Sequence, residues 1–385
     1  MKTIAFYLPQ YHTIPENDVW WGKDFTEWTN LKKSTALFDG HYQPRIPENR
    51  NYYNLLDDTV KQWQIDLAKK YGIYGFCFYH YWFKGGKKLL ERPIEQFLEN
   101  KSLKMPFCLC WANEPWTRAW DGKTKEVIMP QEYGTEQEWR EHFQYLLPFL
   151  KDERYIYVDG KPLLVFYKPE LIENLKAMID IWKEMALTAG LPGLTFVVQG
   201  SNYNATQIFD NNPFDYGMMY EPGFTDMYIS RATSNELQKK RRKECPALYR
   251  YKIKTFLKRR IYNAFGLSRS HVVDRINYDL YWEAILSRPA NTRFIPGAFT
   301  DWDNSPRRGC KGRIFIGSTP EKFQKYFSRL VKKTRDEYHM DMIFITAWNE
   351  WTEGAYLEPD EKYGCRYLQA IHDALEECDE FPIYP

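Results

Sequence analysis

Short apolar runs recur along the chain, and each is followed by a polar or aromatic cluster and then by a longer segment with helical period. Short apolar runs bounded by turn signals favour buried strands, whereas longer segments with a period near 3.6 favour helices. The runs are Thr3–Leu8, Tyr74–Tyr79, Pro106–Trp111, Pro162–Tyr167, Thr195–Gln199, Asp215–Tyr220, Phe294–Ala298 and Met342–Thr346. Eight strands alternating with helices predict an α/β fold, a (β/α)8 TIM barrel with long βα-loops.

The predicted helices fill the spaces between these runs. They are Asp58–Tyr71, Leu89–Asn100, Glu136–Leu150, Glu170–Ala189, a stretch near Asn204–Asn211, a long region from Ser234 to Ser287, Pro320–His339 and Gly364–Cys378. A barrel needs about 250 residues, which leaves roughly a third of the chain for loops. Since no linker rich in Pro, Gly and Ser divides the sequence, we expect one catalytic domain over residues 1–385 with a basic insertion at about 231–270. A doubly wound sheet competes, but no G-x-G-x-x-G turn follows an early strand.

Composition narrows the classes of partner. Aromatic residues make up 17% of the 385 residues, including 14 Trp and 29 Tyr, which makes carbohydrates early candidates. The net charge of +2 argues against nucleic acid as a partner. Between Arg231 and Ser270, however, 13 Lys or Arg stand against 2 acidic residues. The aromatics and cations of 239–260 leave three interpretations open: contact with an anionic membrane, contact with an acidic glycan, or a solvated insertion helix.

Targeting and redox signals are weak. The seven Cys have irregular spacing that fits neither a disulfide framework nor a zinc site. The N-terminal apolar run is too short for a signal peptide, and no stretch approaches the ~18 apolar residues of a membrane span. We therefore expect a cytoplasmic protein, unless a leader has been removed.

Aromatic and polar side chains cluster after the predicted strands, where the βα-loops of a barrel converge on one mouth. Indole and phenol rings stack on sugar faces, and amides and carboxylates bind sugar hydroxyls. The predicted substrate-binding residues are Tyr7, Trp28, Tyr79, His80, Trp111, Asn113, Glu114, Tyr220, Asp301, Asp303, Trp348, Asn349 and Trp351. The His residues lack the paired spacing of metal ligands, so we expect neither a metal nor another cofactor.

Glu350 and Glu353 are the predicted catalytic pair. A spacing of three makes two side chains neighbours if the segment turns helically. Two carboxyls so close in an aromatic, partly dehydrated mouth do not both ionise easily, so one should stay protonated and act as an acid. This combination is typical of glycoside chemistry.

At these residues the sequence resembles a known family. The segments Phe6–His12, Trp20–Asn30, Trp111–Glu114 and Trp348–Gly354 closely resemble the WbsX-type proteins, which are commonly described as glycosyltransferases of polysaccharide or lipopolysaccharide biosynthesis. That family is also similar to the endo-α-mannosidases, which are (β/α)8 barrels without a metal cofactor. The resemblance spans nearly the whole chain.

The resemblance implies a mechanism. In the hydrolases the last motif has the form Glu-Trp-x-Glu-Gly, which implies that Glu350 is a general base and Glu353 a general acid. The base would deprotonate the substrate's own 2-hydroxyl, which attacks the anomeric carbon and gives an anhydro-sugar with net retention. Trp111 and Asn113 match a Trp-x-Asn that contacts the sugar. Thr352 stands where those hydrolases carry His, so the leaving-group side should recognise a different sugar or linkage.

Three functions from different classes remain at this point. The leading hypothesis is a retaining glycoside hydrolase that cuts an α-linked polysaccharide or oligosaccharide. The alternative is a sugar-nucleotide-dependent glycosyltransferase of cell-surface polysaccharide biosynthesis, since Asp301-Trp302-Asp303 has the D-x-D form that holds a divalent metal on a diphosphate. The third is a glycan-binding module without turnover.

Overall fold

The computed structural model describes residues 1–118, 123–200, 213–230, 235–264 and 273–385. Its strands are β1 (Lys2–Tyr7), β2 (Gly75–Trp82), β3 (Lys88–Leu89), β4 (Phe107–Trp111), β5 (Trp116–Arg118), β6 (Lys123–Met129), β7 (Tyr157–Val158), β8 (Lys161–Phe166), β9 (Thr195–Gln199), β10 (Tyr216–Met218), β11 (Asp274–Asn277), β12 (Phe294–Ile295), β13 (Gly297–Phe299), β14 (Arg313–Ile316), β15 (Met342–Thr346), β16 (Asn349–Glu350) and β17 (Ala355–Tyr356).

The main sheet is a closed parallel barrel. Its strands follow the order β12-β10-β9-β8-β4-β2-β1-β15-β13, and every neighbouring pair along this path is parallel. The seventh barrel strand along the chain is interrupted at Pro296, which has no N–H to give to a ladder. Before the break β12 pairs with β10, and after it β13 pairs with β15, so this interrupted strand closes the barrel.

Helices surround the barrel. They are α1 (Pro15–Trp21), α2 (Glu27–Lys33), α3 (Asp58–Lys70), α4 (Arg92–Glu99), α5 (Glu136–Leu150), α6 (Leu175–Thr188), α7 (Gly223–Ser230), α8 (Asn235–Glu244), α9 (Pro246–Ala264), α10 (Tyr278–Ser287), α11 (Ser305–Arg308), α12 (Pro320–Lys333) and α13 (Arg366–Glu377). Local sequence fixes where α12 begins. The Thr319 side chain caps the helix by accepting a hydrogen bond from the Lys322 amide, and Pro320 occupies the first turn. No helix in the described parts of the chain is both long and apolar enough to cross a bilayer.

The predicted (β/α)8 barrel is confirmed. Each of the eight apolar runs forms a strand of the main sheet, and the limits of β9 and β15 match the predicted runs. The predicted helix 136–150 is α5 with the same limits. The stretch near 204–211 lies outside the described residues.

The long region between Ser234 and Ser287 was expected to be helical and is more divided than that. It contains α8, α9 and α10, and β11 lies before α10 and pairs in parallel with β14. The polar run of β11 carries no alternation that separates it from a loop, so the sequence pattern missed it. The two basic helices α8 and α9 lie within the predicted insertion at about 231–270. A single domain over the whole chain stays a prediction.

Gly297 is the first residue of β13, and it lies close to the backbone of the residue that follows β10. A Cβ atom at this position would lie 1.7 Å from the Met219 carbonyl oxygen, so the strand would have to move. We expect Gly297→Ala to lower the free energy of unfolding by about 3 kcal/mol, the upper range for overpacking in a core. Urea unfolding followed by circular dichroism measures the change. The control is Lys176→Ala on helix α6, because this side chain is 77% exposed and alanine favours a helix. Equal losses in the two variants would contradict the prediction.

Candidate active site

Glu350 and Glu353 lie on one tight turn after the last barrel strand. Glu350 ends the short strand β16, and a single 3-10 turn over Trp351–Glu353 follows it. Gly354 ends this turn in the left-handed region at φ 63°, a conformation that glycine adopts readily. The turn brings both carboxyl groups to the same side, as their spacing predicts.

Arg307 holds the two carboxyls together. This residue lies in α11, in the segment that follows strand β13. Its guanidinium donates to Glu350 Oε1 at 2.8 Å and to Glu353 Oε1 at 2.9 Å. The same guanidinium donates to Glu27 Oε1 at 3.2 Å. One cation therefore contacts three carboxylates from two distant parts of the chain.

Glu27 is the first residue of α2 and is buried. The helix start is fixed by a capping box between Thr26 and Thr29, which sets the direction of the next side chain. Glu27 Oε2 accepts a hydrogen bond from Thr352 Oγ1 at 2.7 Å. Thr352 is fully buried in this contact, so its hydroxyl holds Glu27 in the structure. The interpretation of Thr352 as a determinant on the leaving-group side stays a prediction.

The electrostatics of this cluster favour a bound proton. Burial raises the pKa of Glu350 to about 8, with Arg307 opposing the shift and the charges of Glu353 and Glu27 adding to it. Burial also raises the pKa of Glu353, again against the lowering effect of Arg307. One guanidinium neutralises only one carboxylate, and charging the others in a buried site is costly. At neutral pH the cluster can therefore supply a proton.

Tyrosines from neighbouring strand ends surround the pair. Tyr79 and Tyr220 are half-buried, and both rings pack on Phe6 inside the barrel. Burial and then the negative charges of Glu353 and Glu350 raise the pKa of Tyr220 well above its usual value. The pKa of Tyr167 is also raised well above its usual value, first by burial and then by electrostatic interaction with Glu114, Tyr220 and Glu353. These neutral phenols are available as hydrogen-bond groups beside the carboxyls.

Buried contacts fix the backbone that carries the pair. The Asn349 side-chain amide accepts a hydrogen bond from the Leu8 N–H at 2.7 Å and donates one to the Leu8 carbonyl at 3.0 Å, which joins the segments that follow β15 and β1. Trp351 stacks on Tyr356 with ring centroids 3.8 Å apart and donates to Glu358 Oε2 at 2.7 Å. Both predicted sugar-contacting residues, Asn349 and Trp351, are thus engaged in packing beneath the turn.

The two aspartates of the D-x-D segment bind protein groups. Asp303 Oδ2 contacts His41 at 2.8 Å and Gln43 at 2.7 Å, and its other oxygen accepts from the Ser305 amide. Burial raises the pKa of Asp303, but its hydrogen bonds and Arg45 outweigh this and lower it to about 2. Asp301 pairs with Arg45 at 2.7 Å. Within the described residues no group of three His, Cys, Asp or Glu is arranged to hold a metal ion.

Three other predicted residues lie in the core around the first strands. Tyr7 donates to Gln64 on α3 at 2.5 Å, on the helix side of the sheet. Trp28 donates to the Tyr53 carbonyl, and Trp348 packs on Phe76 without exposed surface. Their packing supports the barrel. Direct contact of these three side chains with a sugar stays a prediction.

The predicted residues in the last parts of β2 and β4 and in the loop after β4 form a separate group. His80 contacts His142 through their Nε2 atoms at 2.8 Å, and burial lowers the pKa of His80 to about 3. Trp111 packs edge-on against the same His142 ring. Asn113 makes two hydrogen bonds with the Lys168 backbone, both at 2.7 Å, and the Lys168 ammonium pairs with Glu114. Of these predicted residues Glu114 is the most accessible, with its side chain 35% exposed.

Sequence reasoning missed Arg307 and did not select Glu27. Glu27 stands between Trp20 and Trp28 in the aromatic loop after the first run, so its position was a usable signal. Arg307 carried a weaker signal, because it follows the D-x-D segment in the loop after the seventh run. A basic side chain in a mouth rich in carboxylates was the missing element of the prediction.

Comparison with known protein families found a family model that matches most of the chain. The model of the family described as "Glycosyltransferase WbsX" matches residues 3–371. The chain belongs to this family. It is thus a member of a carbohydrate-active enzyme family, as its motifs indicate.

Curated relatives of this WbsX family member come from Xanthomonas campestris pv. campestris. "Uncharacterized protein WxcX" of strain ATCC 33913 is 34% identical over 376 residues, which cover 97% of this chain and 49% of that protein. The protein of the same name in strain B100 is 35% identical over the same shares. The chain spans about half the length of these relatives.

Solved structures share the fold. The GH99 endo-α-mannosidase from Bacteroides thetaiotaomicron, in complex with Bis-Tris propane, aligns with a TM-score of 0.53 and 15% identity, covering 98% of this chain and 97% of that chain. A "Glycoside hydrolase-like protein" aligns with a TM-score of 0.57 and 12% identity over 99% and 94%. At these identities the similarity establishes the barrel fold alone.

The raised pKa of Glu350 predicts a pH-dependent stability. Between the unfolded pKa of about 4.3 and the folded value of about 8, the folded protein holds a proton that the unfolded chain releases. This contribution is full below the unfolded pKa and is lost as the pH rises through the folded pKa. We therefore expect Glu350→Gln to gain thermal stability relative to the parent protein as the pH rises from about 5 to about 8.

Thermal unfolding at several pH values measures this difference. Glu358, whose pKa burial raises to about 7, is present in both proteins, so its contribution cancels in the comparison. The matched control is Glu153→Gln, at a side chain that is 73% exposed. A constant difference between Glu350→Gln and the parent protein over this range would contradict the prediction.

Proposed function

We propose that this protein is a retaining glycoside hydrolase that cuts an α-linked polysaccharide or oligosaccharide. The observation that carries the proposal is the convergence of Glu350 and Glu353 on Arg307 at the carboxyl end of the barrel. A protonated and an ionised carboxyl side by side are what the cleavage of a glycosidic bond requires. The shared fold with GH99 endo-α-mannosidase supports the proposal as an analogy.

The first step is an attack from within the substrate. Ionised Glu350 takes the proton of the 2-hydroxyl, and this oxygen forms a bond to the anomeric carbon. The bond from the anomeric carbon to the leaving oxygen breaks, and Glu353 gives its proton to that oxygen. The products are the released sugar, a 1,2-anhydro-sugar, neutral Glu350 and ionised Glu353.

The second step opens the anhydro-sugar with water. Glu353 takes a proton from the water molecule while the water oxygen bonds to the anomeric carbon. The bond from that carbon to the 2-oxygen breaks, and Glu350 returns its proton to the 2-oxygen. Each step inverts the anomeric centre, so the net result is retention and both carboxyls regain their starting state.

Burial raises the pKa of both Glu350 and Glu353, which gives the pair a proton to transfer at neutral pH. The assignment of Glu350 as base and Glu353 as acid rests on the Glu-Trp-x-Glu-Gly motif. Arg307 stabilises the negative charge as it moves between the two carboxyls, because its guanidinium contacts both.

Sugar contacts fit the half-buried Tyr79, Tyr220 and Glu114, with the buried tryptophans acting as support.

Removing either carboxylate should stop turnover. We expect Glu350→Gln and Glu353→Gln each to lower the rate of glycan cleavage at least about 100-fold, because each loses a proton-transfer group. A panel of α-linked oligosaccharides, with products separated by chromatography, measures cleavage. The surface variant Glu153→Gln should cleave like the parent protein. Cleavage at the parent rate by both site variants would remove the assignment.

Participation of the 2-hydroxyl has its own test. A 2-deoxy version of a cleaved substrate lacks the internal nucleophile, so the first step cannot occur. We expect no cleavage of the 2-deoxy substrate while its binding is retained within about tenfold, since one hydroxyl contributes little to affinity. Calorimetric titration measures the binding. A 2-deoxy substrate cleaved as fast as its parent would contradict participation but leave the hydrolase assignment standing.

A glycosyltransferase of cell-surface polysaccharide biosynthesis is the second candidate, and the family description favours it. The engagement of Asp303 by His41 and Gln43 weakens the D-x-D argument for it, because these contacts occupy an oxygen that a metal would need. Binding of UDP- or GDP-sugars that requires Mn²⁺, seen by calorimetry, would favour the transferase. Glycan binding without turnover on any substrate or donor would favour the binding module.

A further inference from the structure

Helix α9 exposes a stripe of large apolar side chains. Ile253, Phe256, Leu257 and Ile261 are each between 42% and 58% exposed. Their spacing of three, one and four residues places them on one face of a helix. Among the described residues, α9 holds four exposed large apolar side chains, and no other helix holds more than one. Such a cluster marks an interaction surface, whereas scattered single residues do not.

The opposite face of α9 attaches the helix to the body of the protein. Leu248 is buried, and the Tyr251 hydroxyl donates to the Arg275 carbonyl. The Lys252 ammonium donates to Asp226 on α7 at 2.9 Å. The apolar stripe therefore points away from the barrel. The helix therefore presents large apolar side chains to solvent on its outer face.

Cations accompany the stripe on the outer face. Arg250, Lys254 and Arg260 are exposed, and the Arg260 guanidinium lies 5.8 Å from the centre of the Phe256 ring. Lys239, Lys240 and Lys243 on α8 are exposed as well. The segment 231–270 carries 13 basic and 2 acidic residues, a local charge of +11 in a chain of net charge +2.

We propose that the outer face of α9, with the cations of α8, binds to an anionic lipid surface. Apolar side chains beside Lys and Arg on one helix face are what an interfacial helix needs, because the apolar groups enter the acyl boundary while the cations contact lipid phosphates. Charge complementarity selects this occupant over a second copy of the chain, since two such faces would bring like charges together. The proposal does not depend on the chemistry of the barrel mouth.

Sedimentation with lipid vesicles tests the proposal. The full chain should pellet with equimolar phosphatidylglycerol and phosphatidylcholine vesicles and stay in solution with phosphatidylcholine alone. Lys254→Glu/Arg260→Glu should lower the partition coefficient at least tenfold, because each cation near such a surface contributes about fivefold. Phe256→Ser/Leu257→Ser should lower it at least tenfold by removing buried apolar area. Added salt should weaken binding by the parent protein.

Matched controls lie on helix α6. Leu187→Ser removes an apolar side chain that is 62% exposed, and Lys176→Glu reverses a cation that is 77% exposed. Both should bind vesicles like the parent protein, and circular dichroism checks that all four variants are folded. The proposal is overturned by no binding, by equal binding to neutral vesicles, or by no effect of the α9 changes.

Two other outcomes would assign the face elsewhere and also overturn the proposal. The first is a dimer in sedimentation velocity that Phe256→Ser/Leu257→Ser dissociates. The second is binding to an acidic polysaccharide, without binding to vesicles, that Lys254→Glu/Arg260→Glu removes. Either result would indicate a partner other than a lipid surface.

Discussion

The contact of one guanidinium with three carboxylates connects the parts of the barrel mouth. Arg307 is 43 residues from Glu350, 46 from Glu353 and 280 from Glu27 in sequence, yet it donates to all three. Without that cation, the three carboxylates would repel one another. With it, the cluster can keep both ionised and protonated members, so the fold and the proposed chemistry depend on the same interaction.

The fold could be predicted from the chain because a parallel barrel leaves a clear pattern. Strands covered on both faces read as continuous apolar runs, and the limits of β9 and β15 follow from that pattern alone. The break at Pro296 has a local cause, since proline has no N–H to give to a ladder. The pairing of β11 with β14 depends on which strand lies alongside, and local spacing does not contain that information.

The candidate site was predictable only where its geometry is local. Glu350 and Glu353 come together because a single turn joins them, and Gly354 marks the end of that turn. The tryptophans show the limit of the same reasoning, since Trp348 precedes the pair in sequence and Trp351 lies between its two members, yet both are buried. Sequence adjacency to a carboxylate does not fix which way an indole points. The contacts of Arg307 are long-range, so no spacing rule could supply them.

The aspartates of the D-x-D segment help to hold the turn that carries the two glutamates. Asp301 holds Arg45, and Arg45 in turn donates to the Gly354 carbonyl at 3.2 Å, at the end of the turn that carries both glutamates. The Asp303 amide donates to the Glu353 carbonyl at 2.6 Å. These residues therefore position the glutamate turn. A metal drawn to Asp301 and Asp303 would compete with Arg45 and His41 for the same oxygens, so in this structure the two aspartates serve to position the turn.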